Sequence, residues 1–137
     1  MCYTDFLKQQ CYIDGKWCDA DSGKMLSVTD PGTGRELGTV PSMGEAETAR
    51  AIAAAALPAW RAKTAGERAK LLRTLFNLMM EHQDALGELL SREQGKPFAE
   101  ARGEIAYAAS FIEWFAEEGK RAYGEIVPGH AADRRIV

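Results

Sequence analysis

Few residues in this chain could do chemistry, and they are scattered. Cys2, Cys11 and Cys18 are its thiols. A cysteine becomes a nucleophile beside a base, a cation or a helix amino terminus. None of the three falls at a predicted helix start, so all three read as structural or incidental. Cys11 and Cys18 stand seven apart, and the two histidines are His82 and His130. No C-x-x-C or H-x-x-x-H spacing occurs, so no metal site is indicated. Gly32-Thr33-Gly34-Arg35-Glu36-Leu37 begins like a dinucleotide loop but has Leu37 where the third glycine belongs. It also lies between two predicted strands, whereas such a loop needs a helix amino terminus to hold the pyrophosphate. It reads as a turn. Glu113 and Glu117 are one helical turn apart, with Lys120 and Arg121 near, the pattern of a charge-paired solvated face. Tyr107, Phe111 and Trp114 recur at helical spacing. They could wall a ligand passage, although such a stripe is more often core.

The elements that must position these residues divide near Pro41. Residues 1–41 read as strand-rich, 42–124 as helical, and 125–137 as a loop and a strand cut off in mid-element. Asp14-Gly15 between Cys11-Tyr12-Ile13 and Lys16-Trp17-Cys18 predicts a tight hairpin. Met25-Leu26-Ser27-Val28 and Glu36-Leu37-Gly38-Thr39-Val40 flank the turn Asp30-Pro31-Gly32-Thr33-Gly34. A three- or four-stranded meander is expected, needing cover from helices or another sheet.

Ser42 and Glu45 have capping-box spacing, which predicts a first helix kinked at Pro58. Thr64 and Glu67 form a second box, opening a helical run over 64–94 with a break near His82-Gln83-Asp84. In that run Leu71, Leu72, Leu75, Phe76 and Met79 form the expected stripe. Gly95-Lys96-Pro97 stops it. A third helix is predicted over 98–123, ended by Gly124. Ala101, Ile105, Ala108, Ile112 and Phe115 line one face, and Tyr107, Phe111 and Trp114 lie roughly 100° away. The apolar arc is wider than one contact requires, so this helix should be covered on two sides.

The totals narrow the classes. The chain has 137 residues, 46% of them hydrophobic and 27% charged, and a net charge of −3. That composition belongs to an ordinary globular domain. The charge offers no electrostatic reason for nucleic acid or an anionic membrane as partner. No apolar run is long enough to span a bilayer. No export signal is visible, and an odd number of cysteines suits a reducing, cytoplasmic compartment better than a disulfide framework.

Several stretches together resemble the amino-terminal region of the aldehyde dehydrogenase superfamily. They are Tyr12-Ile13-Asp14-Gly15-Lys16-Trp17, Asp30-Pro31-Gly32-Thr33-Gly34, Ala56-Leu57-Pro58-Ala59-Trp60, Glu93-Gln94-Gly95-Lys96-Pro97 and the helix running through Glu104, Tyr107, Phe111, Trp114 and Glu118. The last stretch, continuing to Tyr123-Gly124-Glu125-Ile126-Val127-Pro128, is most similar to bacterial succinate-semialdehyde dehydrogenases. The resemblance runs from about residue 10 to residue 137.

This resemblance implies an α/β fold in which short antiparallel strands precede three to four helices, an incomplete amino-terminal part of the dehydrogenase. It implies oxidation of an aldehyde acid with NAD or NADP as hydride acceptor, in a homo-oligomeric enzyme. In the family, a cysteine attacks the aldehyde, amide donors hold the oxyanion, and a glutamate-activated water cleaves the thioester. None of those residues maps onto a position here, so no catalytic, cofactor-binding or metal residue is assigned, and the chain alone is expected neither to bind cofactor nor to turn over. Tyr107 and Phe111 match the helix bordering the substrate passage. Arg134 to Val137 resembles the start of the subunit-joining strand, and Glu93 a position near a monovalent-cation site in some relatives. The Ala-rich stretch between Glu47 and Pro58 is two residues short of the family pattern, which would turn a helix face by roughly 200°. A different class of function, a stand-alone helical interaction module using the apolar face of the third helix, would share the same composition. A small thiol-based enzyme is the remaining reading.

Overall fold

The computed structural model describes residues 2–53 and 57–124. Strands β1 (Cys11–Ile13) and β2 (Lys16–Cys18) pair antiparallel across Asp14-Gly15. Asp14 and Gly15 have φ of 50° and 74°, the two positive angles that a turn matching the strand twist demands. Tyr12 lies opposite Trp17, and their rings meet at a tilt of 59° with centroids 5.1 Å apart. Strands β3 (Met25–Thr29) and β4 (Glu36–Pro41) form a second antiparallel pair, with an irregularity between Val28 and Thr29. The Asp30 carboxylate closes their turn by accepting from the N–H groups of Gly32 (2.7 Å) and Thr33 (3.1 Å).

The expected meander is not one sheet. Among the described residues the strands make two separate two-stranded pairs. The reason lies in the loop between β2 and β3. Asp21 donates its N–H to Glu47 at 2.9 Å, and its carboxylate takes two 2.8 Å bonds from Arg50. These bonds draw the loop onto the first helix, so β3 does not continue the β1–β2 ladder.

Among the described residues the three predicted helical runs resolve into five α-helices: α1 (Glu45–Ala53), α2 (Leu57–Ala62), α3 (Ala65–Glu81), α4 (Gln83–Gln94) and α5 (Phe98–Glu118). Residues 54–56 of the Ala-rich stretch lie outside the described residues, as do 125–137, so the shortened helix and the proposed joining strand at Arg134–Val137 receive no structural account. Pro58 sits in the first turn of α2, where a missing N–H costs nothing.

The Ser42–Glu45 box does not form. Ser42 gives its N–H to Lys24 at the end of the β3–β4 pair (2.8 Å), and α1 starts three residues later, at Glu45. Glu47 instead accepts the Gly44 N–H at 3.0 Å. The Thr64–Glu67 box forms in full: the Thr64 hydroxyl accepts from Glu67 N–H at 3.2 Å and Glu67 accepts from Thr64 N–H at 2.7 Å. The break falls at His82, and Gly95 caps α4 in the left-handed region at φ 74°.

Helix α5 ends at Glu118, short of Gly124. Past Gly119, the N–H groups of Lys120 and Arg121 bond back three residues, to Glu117 and Glu118, which tightens and ends the helix. It packs against both α3 and α4. Its buried seam is Ala101, Ala109 and Ala116, with Ile105 and Ile112 half-buried. The predicted face is therefore rotated: Ala108 and Phe115 are exposed. Alanine brings helix backbones together, and Gly87 of α4 brings them closer still. A Cβ there would lie 3.0 Å from the Arg102 Cα. Leu71 and Leu75 of the expected α3 stripe also remain exposed, while Ala69 takes the buried position.

The core is thin. The buried apolar side chains are alanines, and among the described residues no large side chain is fully buried. The accessible surface is 10169 Å². A compact monomer of 15.0 kDa would expose roughly 7,000 Å².

Candidate functional site

The outer face of α5 gathers the candidate residues. Tyr107, Phe111 and Trp114 lie on one stripe and are 65%, 47% and 62% exposed, so within this chain they pack into no core. The Tyr107 ring meets Phe111 edge-on, with centroids 4.9 Å apart and planes at 82°. Ser110 between them is not a free hydroxyl, because it donates to the Tyr107 carbonyl at 2.7 Å. Phe111, Trp114 and Phe115 continue into an open groove of about 650 Å³ whose α3 side carries Arg73. Tyr107 stands outside the groove and touches it through Phe111.

The paired carboxylates are held as an ion cluster. Arg73 bonds to Glu113 and, at 3.3 Å, to Glu117, with its guanidinium 5.4 Å from the centre of the Phe76 ring. Lys120 adds a 2.6 Å contact to Glu117, as the spacing suggests, whereas Arg121 pairs with Glu118. Lys120, and after it Arg73, hold the Glu117 carboxyl below the usual carboxylate range. A general acid needs the opposite shift. Sequence reasoning missed Arg73. It lies 40 residues from Glu113, and only helix packing reveals the pairing.

The thiols gather no catalytic partners. Cys2 is exposed beside a three-residue turn (Tyr3–Asp5), and hydrogen bonding to Thr4 lowers its thiol pKa. Cys11 and Cys18 sit opposite one another, and the Cys18 thiol donates to the Cys11 carbonyl at 3.3 Å. The N–H groups that a phosphate would need at Gly32 and Thr33 are already bonded to Asp30. Glu93 is exposed beside a small crevice with Phe6 and Leu89. No cluster of three or more His, Cys, Asp or Glu side chains suited to a metal ion occurs among the described residues. Nor is any helix among them long and apolar enough to cross a membrane. What α5 offers is a row of exposed rings beside carboxylates that are already paired with Arg73, Lys120 and Arg121.

The sequence profile of the aldehyde dehydrogenase family matches residues 17–137. The chain belongs to that family. It is 61% identical over 136 residues to the NADP(+) succinate-semialdehyde dehydrogenase GabD of Escherichia coli K12, and 63% identical over 136 residues to a glutarate-semialdehyde dehydrogenase of Pseudomonas putida. Each match takes in 98% of this chain and 28% of the relative, so the chain spans little more than a quarter of the length of the curated relatives it matches. Among solved structures it superposes on an E. coli NADP-dependent enzyme with a TM-score of 0.93 at 62% identity, and on a succinate-semialdehyde dehydrogenase of Burkholderia pseudomallei with 0.92 at 58%. Both superpositions cover 96% of this chain and 28% of the other. The architecture is that of the amino-terminal portion of the family fold: short antiparallel strands, then packed helices.

Proposed function

We propose that this chain is the amino-terminal portion of a cytoplasmic, NADP- or NAD-dependent dehydrogenase that oxidises a short aldehyde acid, of the succinic or glutaric semialdehyde class, to the dicarboxylate. The observation that carries this reading is the identity of 61% and 63% to two semialdehyde dehydrogenases across 98% of the chain. Residues 1–137 form one incomplete domain in this account. The reactive thiol, the water-activating glutamate and the nucleotide-binding turn belong to the rest of the family's length. Cys2, Cys11 and Cys18 are not the nucleophile. None of the three matches the motif around the family's nucleophile.

Tyr107 and Phe111 form part of the wall of the substrate passage. Their exposure in the isolated chain supports this role, because the aromatic stripe is free to face polypeptide and ligand that the rest of the enzyme supplies. Cofactor binding and assembly into a homo-oligomer follow only in the full-length enzyme. The test is direct. The isolated chain, mixed with succinic semialdehyde and either nicotinamide cofactor, should give no reduced nicotinamide above the blank. Clear turnover would overturn the assignment of the catalytic groups to other polypeptide.

A further inference from the structure

The hairpin carries a second arrangement that the dehydrogenase reading does not use. Cys11 and Cys18 are directly opposed in an antiparallel pair, so both side chains leave the same face. Both are free thiols and half-buried. The Cys18 sulfur already leans onto the Cys11 backbone, 3.3 Å from its carbonyl oxygen. Cys11 lines an open crevice between the hairpin and α1, beside Met43, Thr48 and Ala51, which a small oxidant can enter. On the other face, the Tyr12 and Trp17 rings meet at a tilt across the two strands.

We propose that Cys11 and Cys18 are a reversible oxidation site, closing a cross-strand disulfide in response to hydrogen peroxide. Opposed residues in such a ladder have Cα atoms about 4.5–5.5 Å apart, inside the range a disulfide spans. Their Cβ atoms stand about 4.5–5.5 Å apart, against about 3.8 Å in a relaxed bridge. The hairpin must pinch by roughly an ångström. A bridge under that strain is readily reduced, the property of a switch more than of a permanent staple.

The chemistry balances. The Cys11 sulfur attacks one peroxide oxygen, breaking the O–O bond and giving a sulfenic acid and water. The Cys18 sulfur then attacks the sulfenic sulfur. The S–S bond forms, the S–O bond breaks and a second water leaves. Two thiols lose two electrons in total, and one peroxide accepts them.

Tryptic cleavage makes the test clean, because Cys2, Cys11 and Cys18 fall in separate peptides, 1–8, 9–16 and 17–24. The chain carrying Cys2→Ser, which removes the exposed competitor, is treated with peroxide when folded and again in concentrated urea. The expected result is peptides 9–16 and 17–24 joined, lighter by roughly 2 Da than their sum, and separated by dithiothreitol. The share of oxidised Cys11 that ends in the link, against sulfinic and sulfonic acid, should be about tenfold higher in the folded chain than in urea, because the fold raises the local thiol concentration at the capture step. Equal shares in both states would overturn the proposal. So would sulfinic or sulfonic acid at Cys11 without the link, or cross-links only between chains.

Discussion

Arg73 of α3 holds two carboxylates of α5 at once, Glu113 and Glu117, one helical turn apart. One side chain thereby ties the helix that carries Tyr107 and Phe111 to α3 at two points one turn apart. Replacing Arg73 with Met removes the fork while keeping most of its apolar stem over Phe76. The expected outcome is a lower melting temperature and a weaker dependence of that temperature on salt. Thermal unfolding at low and high ionic strength checks both. An unchanged melting temperature would mean that α5 is placed by its alanine seam alone.

The closest approach of α4 and α5 is at Gly87. A Cβ there would meet the Arg102 backbone at 3.0 and 3.2 Å. Backbone atoms cannot swing aside as a flexible side chain does. Gly87→Val is expected to destabilise the chain by about 1–3 kcal/mol through overpacking. Urea unfolding measures it. Gly66→Val, where a Cβ meets nothing within 4 Å, is the control that carries only the helix-propensity change.

Glu47 is the buried carboxylate, 5% exposed. The bond from the Asp21 N–H is the largest influence keeping its pKa below the ordinary carboxylate value. A depressed folded-state pKa stabilises the fold at pH above the unfolded value, and that stability is lost as pH falls through the folded one. Glu47→Gln should therefore unfold more easily than the parent at neutral pH, and the gap should close on acidification. Denaturation midpoints of both proteins across the acid range give the answer; a gap constant with pH would contradict it.

The exposed rings of α5 predict solution behaviour. Tyr107, Phe111, Trp114 and Phe115 all stand more than a third exposed on one helix. A contiguous apolar patch of this kind marks an interface or an aggregation liability. The isolated chain should bind an apolar dye and elute in size-exclusion chromatography as a mixture of self-associated species. A sharp monomer or a defined dimer with a cooperative melt would favour the interaction-module reading.

Local chemistry was legible in the sequence wherever a few neighbouring residues decide the outcome. Asp14-Gly15, the Asp30 turn, the Thr64–Glu67 box, the break at His82 and the Gly95 cap all formed as their residue types require. What escaped was chosen at longer range. Ser42–Glu45 and Gly44–Glu47 have the same spacing, and the choice between them turned on Ser42 bonding to Lys24, outside its own helix. The face of α5 was placed in part: Ala101 is buried and Ile105 and Ile112 half-buried as expected, while close helix packing selected Ala109 and Ala116 in place of Ala108 and Phe115. Two hairpins replaced one meander because Asp21 binds Glu47 and Arg50, 26 and 29 residues away. The α5 stripe needed both levels: spacing placed Tyr107 and Phe111 together, and the packing leaves them exposed in this chain.

The most direct measurement compares this chain alone with this chain grafted in place of the matching portion of the E. coli succinate-semialdehyde dehydrogenase. Both are assayed with succinic semialdehyde and NADP. The chain alone should be silent and the graft should reduce the cofactor. Activity from the isolated residues, or a well-folded graft that stays inert, would contradict the account.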